Sequence, residues 1–372
     1  HGFHVAFLHR HAGFTQAQDC PVQAVATSGD ADRTRAPGQI ETVLAVGALD
    51  HRTEDTAVRF KFRGQVKGAH GPLVRFHLQL GSFRVHREGH QLTVHDVRRE
   101  ATTNLCEMGA TWADSAREVA LASQAVFTSL PSPVEMESTV LDPNNGILAG
   151  LPTGGAYIDL TTNSPTVVRR IAEVCLSRGI EMLDAPVSGR PPRMTVMAGG
   201  DAATFEKYRP VFENMAGNVF HMGETGTGCA TKLVTQYLGY SNFITALEGL
   251  LIGVKAGIDV GLLAQVVPVS AGASRVFDNI PRAVLTGEFT SGGSLDIVAK
   301  DLRLACELAR EVQAPARIGI IADDAFHRAQ VLGWGQDGYP KVAKILEEMA
   351  GVELRGEAPD APSFQQVDPR RD

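Results

Sequence analysis

Hydrophobic and polar positions follow two different patterns along this chain, and the change falls at Arg87. Upstream there is little helical periodicity, and two short alternating pieces, 56–62 and 73–78, read as strands. Downstream, apolar runs bounded by turn residues alternate with stretches of helical period, the pattern of an α/β fold. A strand is expected over 91–96, ending in the carboxylate of Asp96, and a helix over 99–108, closed by Gly109. Asp114 and Ser115 read as the cap of a helix over 116–122. Strands over 125–130, stopped by Pro131, and over 156–160 flank a helix over 134–141. Ser164 and Pro165 make the cap and first-turn pair that opens a helix, here to 178, with Gly179 after it. Strands over 181–184 and 194–198 and a helix over 201–212 complete a series that predicts a parallel sheet with right-handed crossovers. Beyond Gly228 the period is helical throughout: an unusually long stretch over 230–257, then 261–267, 297–311, 318–332 and 341–349. The tail over 356–372, rich in Pro, Asp and Arg, is expected to be disordered.

Composition adds exclusions. With 44% hydrophobic and 21% charged residues among 372, the chain has the balance of a core-forming protein. A net charge of −7 argues against a nucleic-acid surface spread over the whole chain. No apolar run reaches the roughly 18 residues of a membrane-spanning helix. The cysteines (Cys20, Cys106, Cys175, Cys229, Cys306) are widely spaced, odd in number and in no CxxC pair. That fits a reduced, cytoplasmic protein without a zinc site or disulfide framework. No basic-then-apolar leader follows His1, as in a chain whose start is missing or processed. Charge sharpens the break at Arg87. Eight of the twelve histidines lie in residues 1–86, with 10 Lys+Arg against 7 Asp+Glu, whereas 87–372 carries 25 basic and 35 acidic residues.

Several residues stand where chemistry is done. A carboxylate at the end of a strand, as at Asp96, can accept hydrogen bonds from the ribose hydroxyls of NAD or simply cap the next helix. Arg98 and Arg99 follow it and can hold a phosphate, which leaves NADP open. Ser188 and Gly189 offer short hydroxyl and amide donors that grip an anion without filling a pocket, or form an ordinary turn. Arg190 can add a two-pronged carboxylate clamp. Gln236 lies four residues after Lys232 and shares its helix face. Lys300 can pair with Asp296 one turn earlier. Gly226-x-Gly228 has the outline of a dinucleotide fingerprint but opens the helical half, and reads as a hinge that brings Lys232 into a cleft. The four histidines after Arg87 show no metal-ligand spacing on a helix, so no metal is expected.

Six ordered motifs carry a resemblance: Gly89-His-Gln-Leu-Thr-Val-His-Asp96, Phe127-Thr-Ser-Leu-Pro131, Asp159-Leu-Thr-Thr162, Asp184-Ala-Pro-Val-Ser-Gly189, Gly226-Thr-Gly-Cys-Ala-Thr-Lys232 and Lys300-Asp-Leu302. From Arg87 to about Leu354 the chain resembles the β-hydroxyacid dehydrogenases, such as 3-hydroxyisobutyrate dehydrogenase and 2-hydroxy-3-oxopropionate reductase. The resemblance implies a Rossmann-type α/β domain over 87–225 and a helical domain like that of 6-phosphogluconate dehydrogenase over 226–355. A long helix would join them and help form a homodimer or homotetramer. It implies Lys232 as the catalytic acid/base, tuned by desolvation toward neutrality. Ser188 and Gly189 would hold the substrate carboxylate and Gln236 would orient the substrate. Asp96, Leu130, Pro131, Thr162 and Lys300 would face the cofactor, NAD or NADP. Two departures stand out. The loop after Gly189 is short and continues Arg190-Pro-Pro-Arg193, and Thr235 stands where the family often has Asn.

A third departure is larger. A glycine-rich phosphate loop should precede Asp96, within about 30 residues of it. The family spacing puts its glycines near Leu73, Arg75 and Leu78, and Gly81 is the only glycine from 72 to 88. Side chains there would block the approach of backbone amides to a pyrophosphate. A frameshift or misplaced gene start over residues 1–86 accounts for the break, and a genuine extension that builds a different first strand is the alternative. The reading that follows is an NAD(P)-dependent oxidoreductase interconverting a small β-hydroxy acid and its semialdehyde. The alternative is a non-catalytic oligomerisation or binding protein on the same fold. An imine or ketone reductase fits less well, because those relatives commonly replace the lysine.

Overall fold

Each short apolar run downstream of Gly89 becomes a strand of one sheet in the computed structural model, which describes residues 5–9, 90–189, 193–289 and 292–356. The strands are β1 (Val5–His9), β2 (Leu92–Asp96), β3 (Thr111–Trp112), β4 (Ala125–Thr128), β5 (Ala156–Asp159), β6 (Glu181–Asp184), β7 (Val187–Ser188), β8 (Thr195–Gly200) and β9 (Asn218–Gly223). Their order is β3-β2-β1-β4-β5-β6-β8-β7, with β9 on β8. β4 and β5 are buried at every position, as strands covered by helices on both faces must be. The covering helices are α1 (Thr103–Glu107), α2 (Ala116–Leu121), α3 (Pro133–Leu141), α4 (Ile147–Gly150), α5 (Pro165–Ser177) and α6 (Ala202–Met215).

The central strand comes from an unexpected place. β1 pairs in parallel with both β2 and β4, with Val5 opposite Leu92 and Ala125. The first strand is therefore supplied by Val5–His9, and residues 10–91 link it to β2. The strands expected over 56–62 and 73–78, the glycine positions near Leu73, Arg75 and Leu78, and the tail beyond Gly356 lie outside the described residues.

The expectation of a parallel sheet holds from β3 through β6. It reverses at β8, which runs antiparallel to β6 and β7. Among the described residues no helix lies between β6 and β8 to carry the chain back, and a parallel return needs a crossover of a dozen or more residues. The helix α6 supplies one, and β9 is again parallel to β8. Local signals mostly act as read: Ser115 accepts the Glu118 amide, and Asp201 accepts that of Thr204. Ser164 occupies the expected cap position before α5, but its side chain makes no capping bond.

The helical half consists of α7 (Thr227–Lys255), α8 (Val260–Val266), α9 (Leu295–Glu311), α10 (Arg317–Val331) and α11 (Ala343–Ala350). With 29 residues, α7 is roughly 44 Å long. Cys229 near its start belongs to the core around Phe127, Tyr157 and Phe212. Phe243, Leu247 and Leu250 further along belong to a second core with Val298, Leu302 and Phe326. One helix thus ties two cores together, and each fully buried aromatic or leucine side chain contributes about 2 kcal/mol of burial. Among the described residues no helix is long and apolar enough to cross a membrane.

Candidate active site

Parallel strands end side by side, so their last residues form a row. Register places His9 opposite Asp96, Thr128 opposite Asp159, and Asp159 opposite Asp184. In an open α/β sheet, ligands bind in the crevice outside these carboxyl ends.

Asp96 marks one end of the row. It is 3% exposed, and its Oδ1 accepts the Arg98 amide at 2.8 Å. Burial pushes its carboxyl up to about 6, opposed by the Arg98 amide and nearby His95. The guanidinium of Arg99 lies over the Trp112 ring, 5.2 Å from its centroid. A carboxylate acceptor here fits the ribose hydroxyls of a nicotinamide dinucleotide. The backbone that would meet a pyrophosphate follows β1, outside the described residues.

The middle of the row is held by hydroxyls. Asp159, fully buried, accepts from Thr128 Oγ1 at 2.8 Å and from the Thr161 amide at 3.0 Å. Thr161 Oγ1 accepts the Leu130 amide at 3.0 Å. With Pro131 lacking an amide hydrogen, the Leu130-Pro131 turn presents carbonyl and apolar surface rather than a donor. The carbonyl of Thr162 accepts from Lys300 Nζ at 3.2 Å. Two residues singled out separately from the sequence are therefore joined across the two halves.

Lys300 does not pair with Asp296, as its one-turn spacing allows. Asp296 accepts instead from Gln330 at 2.7 Å and Gln336 at 2.8 Å. Lys300 Nζ lies 2.9 Å from Asp301 Oδ1. Asp301, 2% exposed, accepts from Gln236 Nε2 at 2.6 Å through its other oxygen, and Gln236 Nε2 also donates to Tyr240 Oη at 2.7 Å.

Lys232 is 7% exposed, one turn before Gln236 on α7. Burial pulls its ammonium down to about 8; Asp301 and Cys229 resist that, and Lys300 adds to it. Thr235 Oγ1 donates to the Lys232 carbonyl at 2.8 Å, so its hydroxyl serves the helix itself.

The Gly226-x-Gly228 segment is bound closely to the end of β6. Asp184 Oδ1 accepts the Gly226 amide and Oδ2 the Cys229 amide, both at 2.7 Å. A side chain at Gly228 would overlap the carbonyl oxygens of Asp184 and Met197. Close approach of backbone to backbone is what the glycine provides. Ser188 is half-buried on β7, and Gly189 turns the chain at a φ of 80°. Arg190 lies outside the described residues. No bond joins Ser188 or Asp96 to the Lys232 cluster among the described contacts. Among the described residues no group of three or more His, Cys, Asp or Glu is placed to hold a metal ion.

Asp159, Thr161, Asp184, Tyr240 and Asp301 were not singled out from the sequence. Four of them stand inside the six motifs, and Tyr240 lies one turn after Gln236 on the same helix face, so the signal was present.

The chain is similar to known proteins. The model of the NAD binding domain of 6-phosphogluconate dehydrogenase matches residues 82–223. That of the NAD-binding region of NADP-dependent 3-hydroxyisobutyrate dehydrogenase matches 226–346. The 2-(hydroxymethyl)glutarate dehydrogenase of Eubacterium barkeri is 30% identical over 276 residues, 73% of this chain and 91% of that protein. The 3-hydroxyisobutyrate dehydrogenase of Pseudomonas aeruginosa is 32% identical over 252 residues, 64% of this chain and 84% of that protein. The crystal structure of 3-hydroxyisobutyrate dehydrogenase from Salmonella typhimurium superposes with a TM-score of 0.65 at 30% identity, covering 72% of this chain and 95% of that one. With its row of strand-end residues, its buried lysine and these relatives, the chain belongs to the β-hydroxyacid dehydrogenase family of NAD(P)-dependent enzymes.

Proposed function

We propose that this chain interconverts a small β-hydroxy acid and its semialdehyde, of the 3-hydroxyisobutyrate or 2-hydroxy-3-oxopropionate type, with Lys232 as the proton-transferring group. The observation that carries this reading is a buried lysine whose ammonium is pulled down to about 8. A general acid or base works best when its pKa lies near the operating pH. When bound, the nicotinamide cofactor supplies the hydride chemistry. In oxidation, neutral Lys232 Nζ takes the proton of the substrate hydroxyl, and in reduction the ammonium returns it. Asp301 and Lys300, which face Lys232 from α9, hold the balance of charge around it.

The remaining roles follow from donors and acceptors. Ser188 and the amides after it anchor the substrate carboxylate, with Arg190 as a further cation. Both amide hydrogens of Gln236 are engaged by Asp301 and Tyr240, so Gln236 orients a substrate hydroxyl through its carbonyl oxygen. Asp96, Leu130, Pro131, Thr162 and Lys300 face the cofactor. The carboxylate of Asp96 favours NAD, because it would repel a 2′-phosphate. The domains are 87–225 and 226–355, and the compartment is the cytoplasm, on the spacing of the cysteines. Exposed Val234, Leu238 and Ile252 on α7 support a homo-oligomer.

The test is a pair of pH profiles with 3-hydroxyisobutyrate and NAD⁺ in one direction and the semialdehyde and NADH in the other. Oxidation should rise through a midpoint near 8 and level off above it, and reduction should fall through the same midpoint. Flat profiles across that range would end the assignment of Lys232. The second reading, a binding protein impaired in catalysis, draws on the text after β1. His9-Arg10-His11 and Phe14 stand where a G-x-G-x-x-G loop would begin. It predicts hydroxyacid-independent behaviour throughout.

A further inference from the structure

The long helix α7 enters the sheet half by only its first turns, and Lys232 sits in the second of them. Something must hold that end in place, since the rest of α7 belongs to the other core. Ordinary helix starts expose unpaired amides and take a serine or aspartate cap from the residue just before them. Here the N-cap is Gly226, which has no side chain and makes no capping bond. The acceptor comes from far away in sequence. Asp184, the last residue of β6, spans both sides of the joint with one oxygen on Gly226 N and the other on Cys229 N, each at 2.7 Å. The backbone fits closely around it: a side chain at Gly199 would come within 2.6 Å of Asp184 Oδ1 and 2.8 Å of Gly228 N.

We propose that Asp184 is the positioning residue of the site: by clamping the Gly226 and Cys229 amides to the end of β6, it fixes the height and rotation of the first turns of α7, and so where Lys232 stands. Cys229 and Lys232 are three positions apart, close to one turn, so a rotation of the clamped amide carries the lysine with it. The inference rests on the reading of Lys232 as the proton-transferring group. The helix start also suits the clamp electrostatically, since its amides and dipole favour a carboxylate. Asp159, the register neighbour of Asp184, provides the contrast. It is as deeply buried, but its bonds go to Thr128, Thr161 and Asn163, none of them on α7.

The experiment reads Lys232 directly in the full chain, without cofactor. Wild type, Asp184→Asn and Asp159→Asn are pulsed with acetic anhydride across pH 6–11, and acetylation of Lys232 is quantified by mass spectrometry. The wild-type midpoint should fall near 8. In Asp184→Asn one amide loses its acceptor, water reaches Nζ, and the midpoint should climb by about one pH unit or more toward that of an ordinary lysine. Removing a negative charge on its own would move it down, because Asp184 would no longer favour the ammonium. The direction therefore separates positioning from charge. Asp159→Asn should leave the midpoint unchanged. A midpoint in Asp184→Asn that stays or falls, or an equal rise in Asp159→Asn, overturns the proposal. If Asp184→Asn shows no cooperative thermal transition, Asp184→Glu, which keeps the charge but displaces it by a methylene, carries the same comparison. Full hydroxyacid oxidation by Lys232→Met would end the reading of the lysine while leaving the labelling result on Asp184 standing.

Discussion

Asp96 and Asp184 stand at the two ends of the same row of strands. Each closes a parallel strand, each is buried, and in each burial raises the carboxyl to about 6. Their surroundings give them opposite work. After Asp96 the chain makes a tight turn, and the Asp96 carboxylate accepts its amide at Arg98. The carboxylate of Asp184 meets a helix from the other half of the molecule and takes two of its amides. The same residue type at the same position in the strand thus accepts a local amide at one end and ties down the other half of the molecule at the other. What distinguishes them is which backbone arrives opposite, and the two lie four strand spacings apart, roughly 19 Å.

The largest effect expected tests the frame end. Lys232→Met should lower kcat for hydroxyacid oxidation by about 10³-fold, the usual range for losing a general base, while NADH binding changes little. Loss of binding instead would place Lys232 at the cofactor end and erase the contrast. Next comes pH. The folded Lys232 binds its proton less tightly than the unfolded one, at about 8 against 10.5. Between those values the unfolded state carries more protons, so stability rises with pH there, by about 3 kcal/mol at most, and is flat below 8 for this group. Urea unfolding of wild type against Lys232→Met from pH 7 to 11 isolates the slope, and the variant should lack it.

The ligand end should respond in the complementary way. Asp96→Ala should weaken NADH binding about tenfold, the scale of one lost charged hydrogen bond. Trp112, on the strand beside β2 and under Arg99, reports this by fluorescence, and the Lys232 midpoint should not move. The smallest effect concerns the contact between the halves at Thr166, whose hydroxyl donates to Glu311 at 3.1 Å on an exposed surface. Thr166→Ala should cost less than about 0.5 kcal/mol in thermal unfolding. A larger loss would mean that surface contacts, not the buried clamp, hold the halves together.

Most strands and helices after Arg87 were legible because burial on two faces and helical amphipathicity leave periodic marks; β3, the largely exposed β9 and the short α4 were not read. The reversal at β8 was less legible. It depends on a link too short for a crossover, with a two-residue strand, β7, hidden in the motif that ends at Gly189. β1 was missed because five residues between uninformative neighbours carry too little pattern to stand out. The site was partly legible. Lys232, Gln236 and Lys300 were singled out through the motifs of the resemblance, but their neighbour Asp301 was passed over. A carboxylate beside a lysine in sequence reads as a surface pair, and only burial shows that it organises the cluster.

Local chemistry in the chain settled where helices start and stop, which face of each is apolar, and which polar residues end the strands. These follow from spacing and caps, and they need only near neighbours. The assignment of work among those polar residues came from packing. Asp184 reaches amides some forty residues on, and Lys232 owes its depressed pKa to the layers closed over it. Desolvation and long-range hydrogen bonds belong to the assembled volume, and no stretch of sequence contains them.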